Sequence, residues 1–264
     1  MQKQYLLTNR SRGSILLPAM KSNKTSSSHK TVSEHSPVEN QLLMVTEIGG
    51  LVKDLDMLVI SSPQDELYNR LIKRTFDITF SSLVIVFVLS WLYPIIALLI
   101  KLESKGPVIF RQERSGKHNE SFWCLKFRSM HVNEESHHKQ ASRNDNRITK
   151  IGSFLRRTSL DEFPQFLNVL IGDMSIVGPR PHMLKHTEQY RDVVDNYMAR
   201  HFLKPGITGW AQINGYRGET TALDAMVKRV QHDIWYLENW SALLDIKIIF
   251  STAYQVLIGD KNAF

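Results

Sequence analysis

The sequence predicts an α-rich α+β protein: a re-entrant membrane helix, then a compact, mainly helical domain facing the cytoplasm, with one short β-hairpin. Three observations predict it. An uncharged run of 23 residues, "ITFSSLVIVFVLSWLYPIIALLI" (Ile78 to Ile100), carries basic residues on both flanks. Apolar residues recur at helical spacing through most of the chain beyond Arg147. Between these regions lie two short β-branched and aromatic stretches separated by a glycine-containing turn.

Taken in order, residues 1–66 form a polar, largely disordered N-terminal region with a short amphipathic helix. The stretch "KSNKTSSSHKTVSEHSPVEN" has no apolar periodicity, as expected of a segment unable to build a core. "YLLTNRSRGSILL" places two arginines inside what would be the apolar region of a secretory signal, which argues against one. Gln41 to Ile60 is moderately apolar but broken by Gly49-Gly50 and several charges, consistent with a short amphipathic helix or two.

Residues 67–101 are the membrane-inserted segment. The uncharged run would measure about 35 Å as a straight helix, enough to cross a hydrocarbon core of about 30 Å. Two features count against a simple crossing. Pro94 lies inside the run and removes a helical hydrogen bond. Arg70, Lys73 and Arg74 precede the run, and Lys101, Lys105, Arg111 and Arg114 come after it. Because positive charge stays cytoplasmic, one crossing would strand one of the two clusters outside. A helix that enters, breaks at Pro94 and leaves on the same face satisfies both; a kinked span is the alternative, since prolines are tolerated in spanning helices.

Residues 102–264 form the compact domain. "GPVIFRQERSG" and "SFWCLKFRSM" read as the hairpin, and "SHHKQASRNDNRITK" as a loop. In "LDEFPQFLNVLIGD", Asp161 as the helix cap places Pro164 in the first turn, where its missing N–H costs nothing, and Gly172 closes the helix. Tyr190, Val193, Val194, Tyr197, Met198 and His201 predict one helix, ended by "KPGITGW"; Leu223, Met226, Val227, Val230, Ile234 and Leu237 predict another. "LLDIKIIFSTAYQVLI" closes the chain as an apolar helical face, packed on the domain or lying on lipid.

At 264 residues and 42% apolar content the chain can bury a real core, and its single cysteine, Cys124, excludes an internal disulfide framework. The charge is local. Lys101 to Arg157 holds thirteen Lys and Arg against six Asp and Glu, an excess equal to the whole net charge of +7. Such a patch suits nucleic acid, an anionic membrane face or a phosphorylated substrate. No nucleic-acid-reading module appears, and neither GxxxxGK[ST] nor GxGxxG is present. The ten histidines show no ligand spacing.

Asp161-Glu162 is the candidate chemical pair. Adjacent carboxylates at a helix start are usually caps. Here, however, Arg156-Arg157 precede them, Asp173 comes one helix later, and Arg180 stands between Pro179 and Pro181. Carboxylates bind a hard cation such as Mg²⁺, arginines grip phosphate oxygens, and a carboxylate that is no metal ligand can attack phosphorus.

The stretches "KRTFDITFS", "GPVIFRQERSG", "LKFRSM", "RITKIGSFLRRTSLDEFPQFLNVLIGDMSIVGPRP" and "KPGITGWAQINGYRGET" occur in order. Together they resemble the bacterial sugar transferases, the monotopic polyprenyl-phosphate phosphoglycosyl transferases, from Lys73 to Phe264. The resemblance implies a re-entrant helix broken at a proline, in the bacterial inner membrane. It implies transfer of a sugar-1-phosphate from a UDP-sugar to polyprenyl (undecaprenyl) phosphate with Mg²⁺ or Mn²⁺. Asp161 takes the place of the nucleophile, Glu162 that of the residue serving metal binding or proton handling, and Arg180 that of the arginine near the nucleotide. Both carboxylates are metal-ligand candidates. Arg111, Lys126, Arg128, Arg156, Arg157, Pro179, Arg180 and Pro181 are the substrate-binding candidates. "GWAQINGYRGET" and the tail resemble the branch that primes exopolysaccharide with a hexose phosphate, often glucose. Expected partners are the two substrates and membrane lipids, with a second copy and downstream glycosyltransferases as further candidates, and no nucleic acid. Two departures stand out: Tyr93-Pro94 replaces the family's Ser-Pro, and the N-terminal membrane helices and extra domain of the larger members give way to a polar tail. A catalytically silent membrane scaffold is the alternative, which the intact dyad and Pro-Arg-Pro disfavour.

Overall fold

The computed structural model describes residues 62–132, 145–218 and 223–259, all of which belong to one compact unit. The amphipathic segment expected within residues 41–60 and most of the polar loop after Val132 lie outside the described residues.

The apolar run does form a helix, but its expected break at Pro94 is not there. Helix α1 (Leu67–Val84) passes into a single π-helical turn (Ile85–Leu89) and then helix α2 (Ser90–Glu103), with Pro94 inside α2. The irregularity lies one turn upstream, where Ser90 N–H reaches the Ile85 carbonyl five residues back. Side chains serve the neighbouring carbonyls: Ser90 Oγ donates to Val86 O at 2.6 Å and Trp91 Nε1 to Phe87 O at 2.8 Å. A proline whose surroundings satisfy the loosened backbone kinks a helix without ending it. Serine thus supports this stretch after all, from position 90.

This helix, 37 residues from Leu67 to Glu103, is bound to the same body at both ends. Near its start, Lys73 Nζ donates to Asp245 Oδ2 (2.7 Å) and Val177 O (3.0 Å), and Arg74 donates to the Val169 and Leu170 carbonyls. At its end, both Glu103 oxygens accept backbone N–H groups, from Lys150 (2.7 Å) and Ile151 (2.9 Å). Between these ends Leu89, Ile96 and Ile100 are buried against Phe127 and Leu155. Val86, Phe87, Trp91, Leu98 and Leu102 on the same helix remain more than half exposed.

The predicted hairpin is present. Strands β1 (Ile109–Ser115) and β2 (Ser121–Phe127) pair antiparallel, with Phe110 opposite Lys126 and Gln112 opposite Cys124. Helix α3 (Lys150–Arg157) comes next, capped by Thr149 Oγ1 accepting from Gly152 N–H. Helix α4 (Gln165–Ile171) ends at Gly172, as expected. Asn168 on α4 stitches it to β2, accepting from Leu125 N–H at 3.0 Å and donating to Trp123 O at 2.8 Å.

A second sheet escaped prediction. Strands β3 (Ser175–Val177) and β4 (Gly206–Thr208) form a parallel pair of three residues each. Such short runs carry too little periodicity to be distinguished from loop. The single helix expected from Tyr190 to His201 is also corrected. Helix α5 (Leu184–Tyr190) gives way to turns and a 3₁₀ segment (Tyr197–Phe202) that begins after Asn196, whose φ of 56° no α-helix accepts. Tyr190, Val194 and Tyr197 still face inward, buried together with Met226 and Val230, while Val193 is exposed. After a single turn α6 (Trp210–Ile213), helices α7 (Leu223–Glu238) and α8 (Ala242–Ile258) fall where the sequence placed them.

Candidate active site

The acidic pair sits where α3, β2 and the loop after β3 converge. Its local backbone differs from the expected helix cap. Ser159 takes φ 58°, uncommon for a residue with a side chain, and turns the chain into one 3₁₀ turn, Leu160–Glu162. Asp161 therefore lies inside that turn and caps nothing, and Pro164 is the residue before α4.

The two carboxylates are buried but differ in every other respect. Glu162 Oε1 accepts from Lys126 Nζ and Arg180 Nη2, both at 2.7 Å, and Oε2 from Arg180 Nη1 at 3.3 Å. Burial alone would raise this carboxyl, but Arg180 and Lys126 outweigh it and hold Glu162 well below the usual carboxylate range. Asp161 makes no hydrogen bond through its carboxylate among the described residues. Burial pushes it above the ordinary range and Glu162 beside it adds to this; Lys126, Arg156 and Arg180 pull the other way without cancelling the rise.

Arg180 is fixed through its backbone. Gly178 N–H donates to Thr208 O, and Gly206 N–H donates to Pro179 O. Arg200 Nη2 donates to Arg180 O at 2.8 Å, and Arg114 Nη1 to Pro181 O at 2.6 Å. The approach that permits this needs glycine: a Cβ on Gly206 would lie 2.1 Å from Gly178 N. Behind the loop, His182 lies against Arg200, Arg229 and Tyr197. Burial and those two arginines drive the imidazole well below its usual range, so it stays neutral and adds no charge.

Of the substrate-binding candidates, the structure brings Lys126, Arg156 and Arg180 around the dyad, with Pro179 and Pro181 as the frame of Arg180. Arg111 is exposed and pairs across the hairpin with Leu125, so it lies on the sheet face opposite Lys126. Arg157 is exposed at the end of α3. Arg128 is elsewhere: its guanidinium donates to the Ser104 (2.7 Å) and Lys105 carbonyls after α2. Asp173 accepts from Asn168 at the end of α4 and takes no part in the site.

Three arginines at the site were missed. Arg217 Nη2 donates to Ser159 Oγ at 2.7 Å and helps lower Glu162. Arg229 holds the loop that presents it, donating to Tyr216 O (2.8 Å) and Gly218 O (2.7 Å). Arg114, half-buried, adds positive charge beside Glu162 and Arg180. The arginine of "NGYRGET" was in view as part of a motif, but only the fold brings it to a serine 58 residues away. With Lys126, Arg114, Arg156, Arg180 and Arg217 around two carboxylates, the site is a cationic pocket suited to phosphate.

Among the described residues no three His, Cys, Asp or Glu side chains converge as a metal site. Any protein oxygens for Mg²⁺ at the dyad would come from Asp161 and Glu162. That fits an ion that keeps several waters and is shared with substrate phosphates.

The chain is similar to known proteins. Residues 68–259 match the family model described as bacterial sugar transferase. A UDP-glucose:undecaprenyl-phosphate glucose-1-phosphate transferase of Escherichia coli K12 is 55% identical over 197 residues, 74% of this chain and 42% of that protein. One of the same name from Xanthomonas campestris is 53% identical over 184 residues, 68% of this chain and 38% of that protein. The exopolysaccharide production protein PSS of Rhizobium leguminosarum is 45% identical over 196 residues, 72% of this chain and 98% of that protein. The chain thus spans less than half the length of the first two relatives. A match over most of the chain, carried by a helix bound to a compact body with a dyad in a cationic pocket, makes this protein a member of the bacterial sugar transferase family.

Proposed function

We propose that the protein transfers a hexose-1-phosphate, glucose-1-phosphate by its relatives' names, from a UDP-sugar to undecaprenyl phosphate as the priming step of exopolysaccharide synthesis. The observation that carries this reading is the division between the two carboxylates. Glu162 is bound up in ion pairs, while Asp161 is buried among cations with its oxygens uncommitted. A carboxylate raised by burial is poorly solvated and so a stronger nucleophile than one in water.

In the proposed reaction an Asp161 oxygen attacks the sugar-bearing phosphorus of the donor. The bond from that phosphorus to the bridging oxygen breaks, UMP leaves with the electron pair, and an aspartyl phosphosugar remains. An oxygen of undecaprenyl phosphate then attacks the same phosphorus and the Asp161–phosphorus bond breaks, giving the lipid diphosphosugar. Arg180, oriented by Glu162, and Lys126, Arg156 and Arg217 neutralise charge on the phosphoryl oxygens. Mg²⁺ or Mn²⁺, held by dyad oxygens and the diphosphate, would add neutralisation of the leaving UMP. Glu162 stays ionised, so its role is to hold Arg180 and Lys126 rather than to move protons.

We also propose that the long helix is re-entrant, with both basic flanks and the compact domain on the cytoplasmic side. The support is that Lys73 and Arg74 at one end and Glu103 at the other grip one body, and that the flanking charge is positive at both ends. Cysteine labelling at the two flanks in a Cys124→Ser background tests it: labelling of one flank alone from outside the cell overturns it.

The chemistry is tested with purified protein, labelled UDP-glucose and no acceptor. A burst of UMP equal to the enzyme, with label held on the protein, is expected, and both should vanish with EDTA. Turnover with acceptor but no burst without it would leave Asp161 a ligand rather than a nucleophile.

A further inference from the structure

The end of the long helix is tied to the dyad by two routes that start from one joint. At the joint Glu103 accepts both N–H groups that open α3, from Lys150 at 2.7 Å and Ile151 at 2.9 Å. Arg128 grips the next two carbonyls of the chain, Ser104 O and Lys105 O. The third side is closed by backbone: Thr149 N–H donates to Ser129 O at 3.1 Å, and a Cβ on Gly152 would lie 1.9 Å from that same oxygen. The end of α2, the end of β2 and the start of α3 therefore meet with no room to slide.

From the joint β2 leads back two residues to Lys126, and α3 leads forward to Arg156. These are two of the three cations that act on Asp161. Lys126 also holds Glu162 at 2.7 Å. Any shift in how α2 seats on the body moves both cations relative to the dyad.

We propose that Glu103 and Arg128 are positioning residues that transmit the seating of the membrane helix to Asp161, so that the site is assembled only when α2 is docked. This rests on the reading of Asp161 as the reacting carboxylate. It gives Arg128, expected from the sequence to touch substrate, a role at the joint instead.

The test uses the full chain in lipid nanodiscs, with Glu103→Gln, Arg128→Lys and the double variant. Gln keeps one acceptor but turns an amide toward the second N–H; Lys keeps the charge but cannot span two carbonyls. Each variant should slow single-turnover UMP release at least about tenfold with the apparent affinity for UDP-sugar within about threefold, as expected when an interaction made in the transition state is lost. The double variant should be little slower than either single one, because both act through one joint; independent losses would multiply. Amide exchange should quicken across Arg156–Phe163 and stay unchanged in α7. UMP release at the wild-type rate in both single variants, multiplying losses in the double one, or unchanged exchange at Arg156–Phe163 each overturns the joint. A wild-type protein that releases no UMP from any UDP-hexose speaks against the transferase reading, and the exchange measurement then still decides the joint.

Discussion

Two of the buried groups of cations and carboxylates among the described residues differ in their wiring. In the first, Lys73 stands against Asp245 and Asp77, and both carboxylates accept hydrogen bonds. Asp245 Oδ1 accepts from Tyr236 at 2.7 Å, and its Oδ2 from Lys73 at 2.7 Å and Trp240 at 3.2 Å. Asp77 Oδ1 accepts from Ser175 Oγ and Ile176 N–H, both at 3.0 Å. In the second, at the dyad, cations outnumber carboxylates and one carboxylate, Asp161, has no hydrogen-bond partner among the described residues. The Asp161 oxygens are not among the fully buried atoms left without a partner, so the carboxylate keeps an edge open to solvent. The first group holds α1 to β3 and α8; the second has the charge that suits a phosphate.

The sharpest way to break that comparison is to remove the key group from each. Asp161→Asn should lower UMP release on the order of 10³-fold or more, yet leave the fold at least as stable at neutral pH. The sign comes from the raised carboxyl. A folded-state pKa above the unfolded value favours the protonated form, so stability falls as pH rises from the unfolded pKa through the folded one. Thermal unfolding alongside UMP assay checks both halves, and a destabilised, active variant would reverse the assignment.

Lys73→Met should do the opposite. It leaves Asp245 and Asp77 buried without their cation, which costs about 3–5 kcal/mol. Denaturation in detergent should show the loss, and activity should decline in step with the folded fraction. A variant that keeps its stability and loses only turnover would place the first group in the chemistry.

The smallest effect concerns pH. If Asp161 is the reacting carboxyl, as proposed, UMP release should decline on the acid side by about tenfold per pH unit, with a midpoint above the ordinary aspartate range, because that carboxyl is raised. Glu162→Gln removes a neighbouring charge that raises Asp161, so the residual activity should show this limb at lower pH. The same variant should lose stability above the ordinary glutamate pKa, where the depressed Glu162 contributes, and match wild type once pH falls through the folded-state value. A limb that disappears in Glu162→Gln would mean that Glu162, not Asp161, titrates in the reaction.

Most of the elements were legible in the sequence because they rest on local signals. The uncharged run, the β-branched and aromatic content of β1 and β2, the glycine after α4 and the spacing of α7 and α8 each lie within one segment. The dyad and Arg180 were legible as residue types that suit phosphate chemistry, and through their resemblance to a family. Less legible were the residues whose state depends on distant neighbours. Arg128 looks like any cation in a basic patch until Ser104 and Lys105 are seen to occupy it. Asn196 interrupts an apolar pattern that keeps its inward face across the interruption.

By itself, the sequence determined that an apolar helix precedes a basic, mainly helical domain carrying two adjacent carboxylates, because charge, periodicity and chain-breaking residues act over a few positions. Only the tertiary structure decided that the helix runs through Pro94, with a π-helical turn at Ile85–Leu89 instead of a break at the proline. Only it decided that Glu162 is spent on Lys126 and Arg180 while Asp161 is not. Those outcomes depend on burial and on groups far away in the chain, and electrostatic energy in a low-dielectric interior is set by spatial distance rather than by sequence separation.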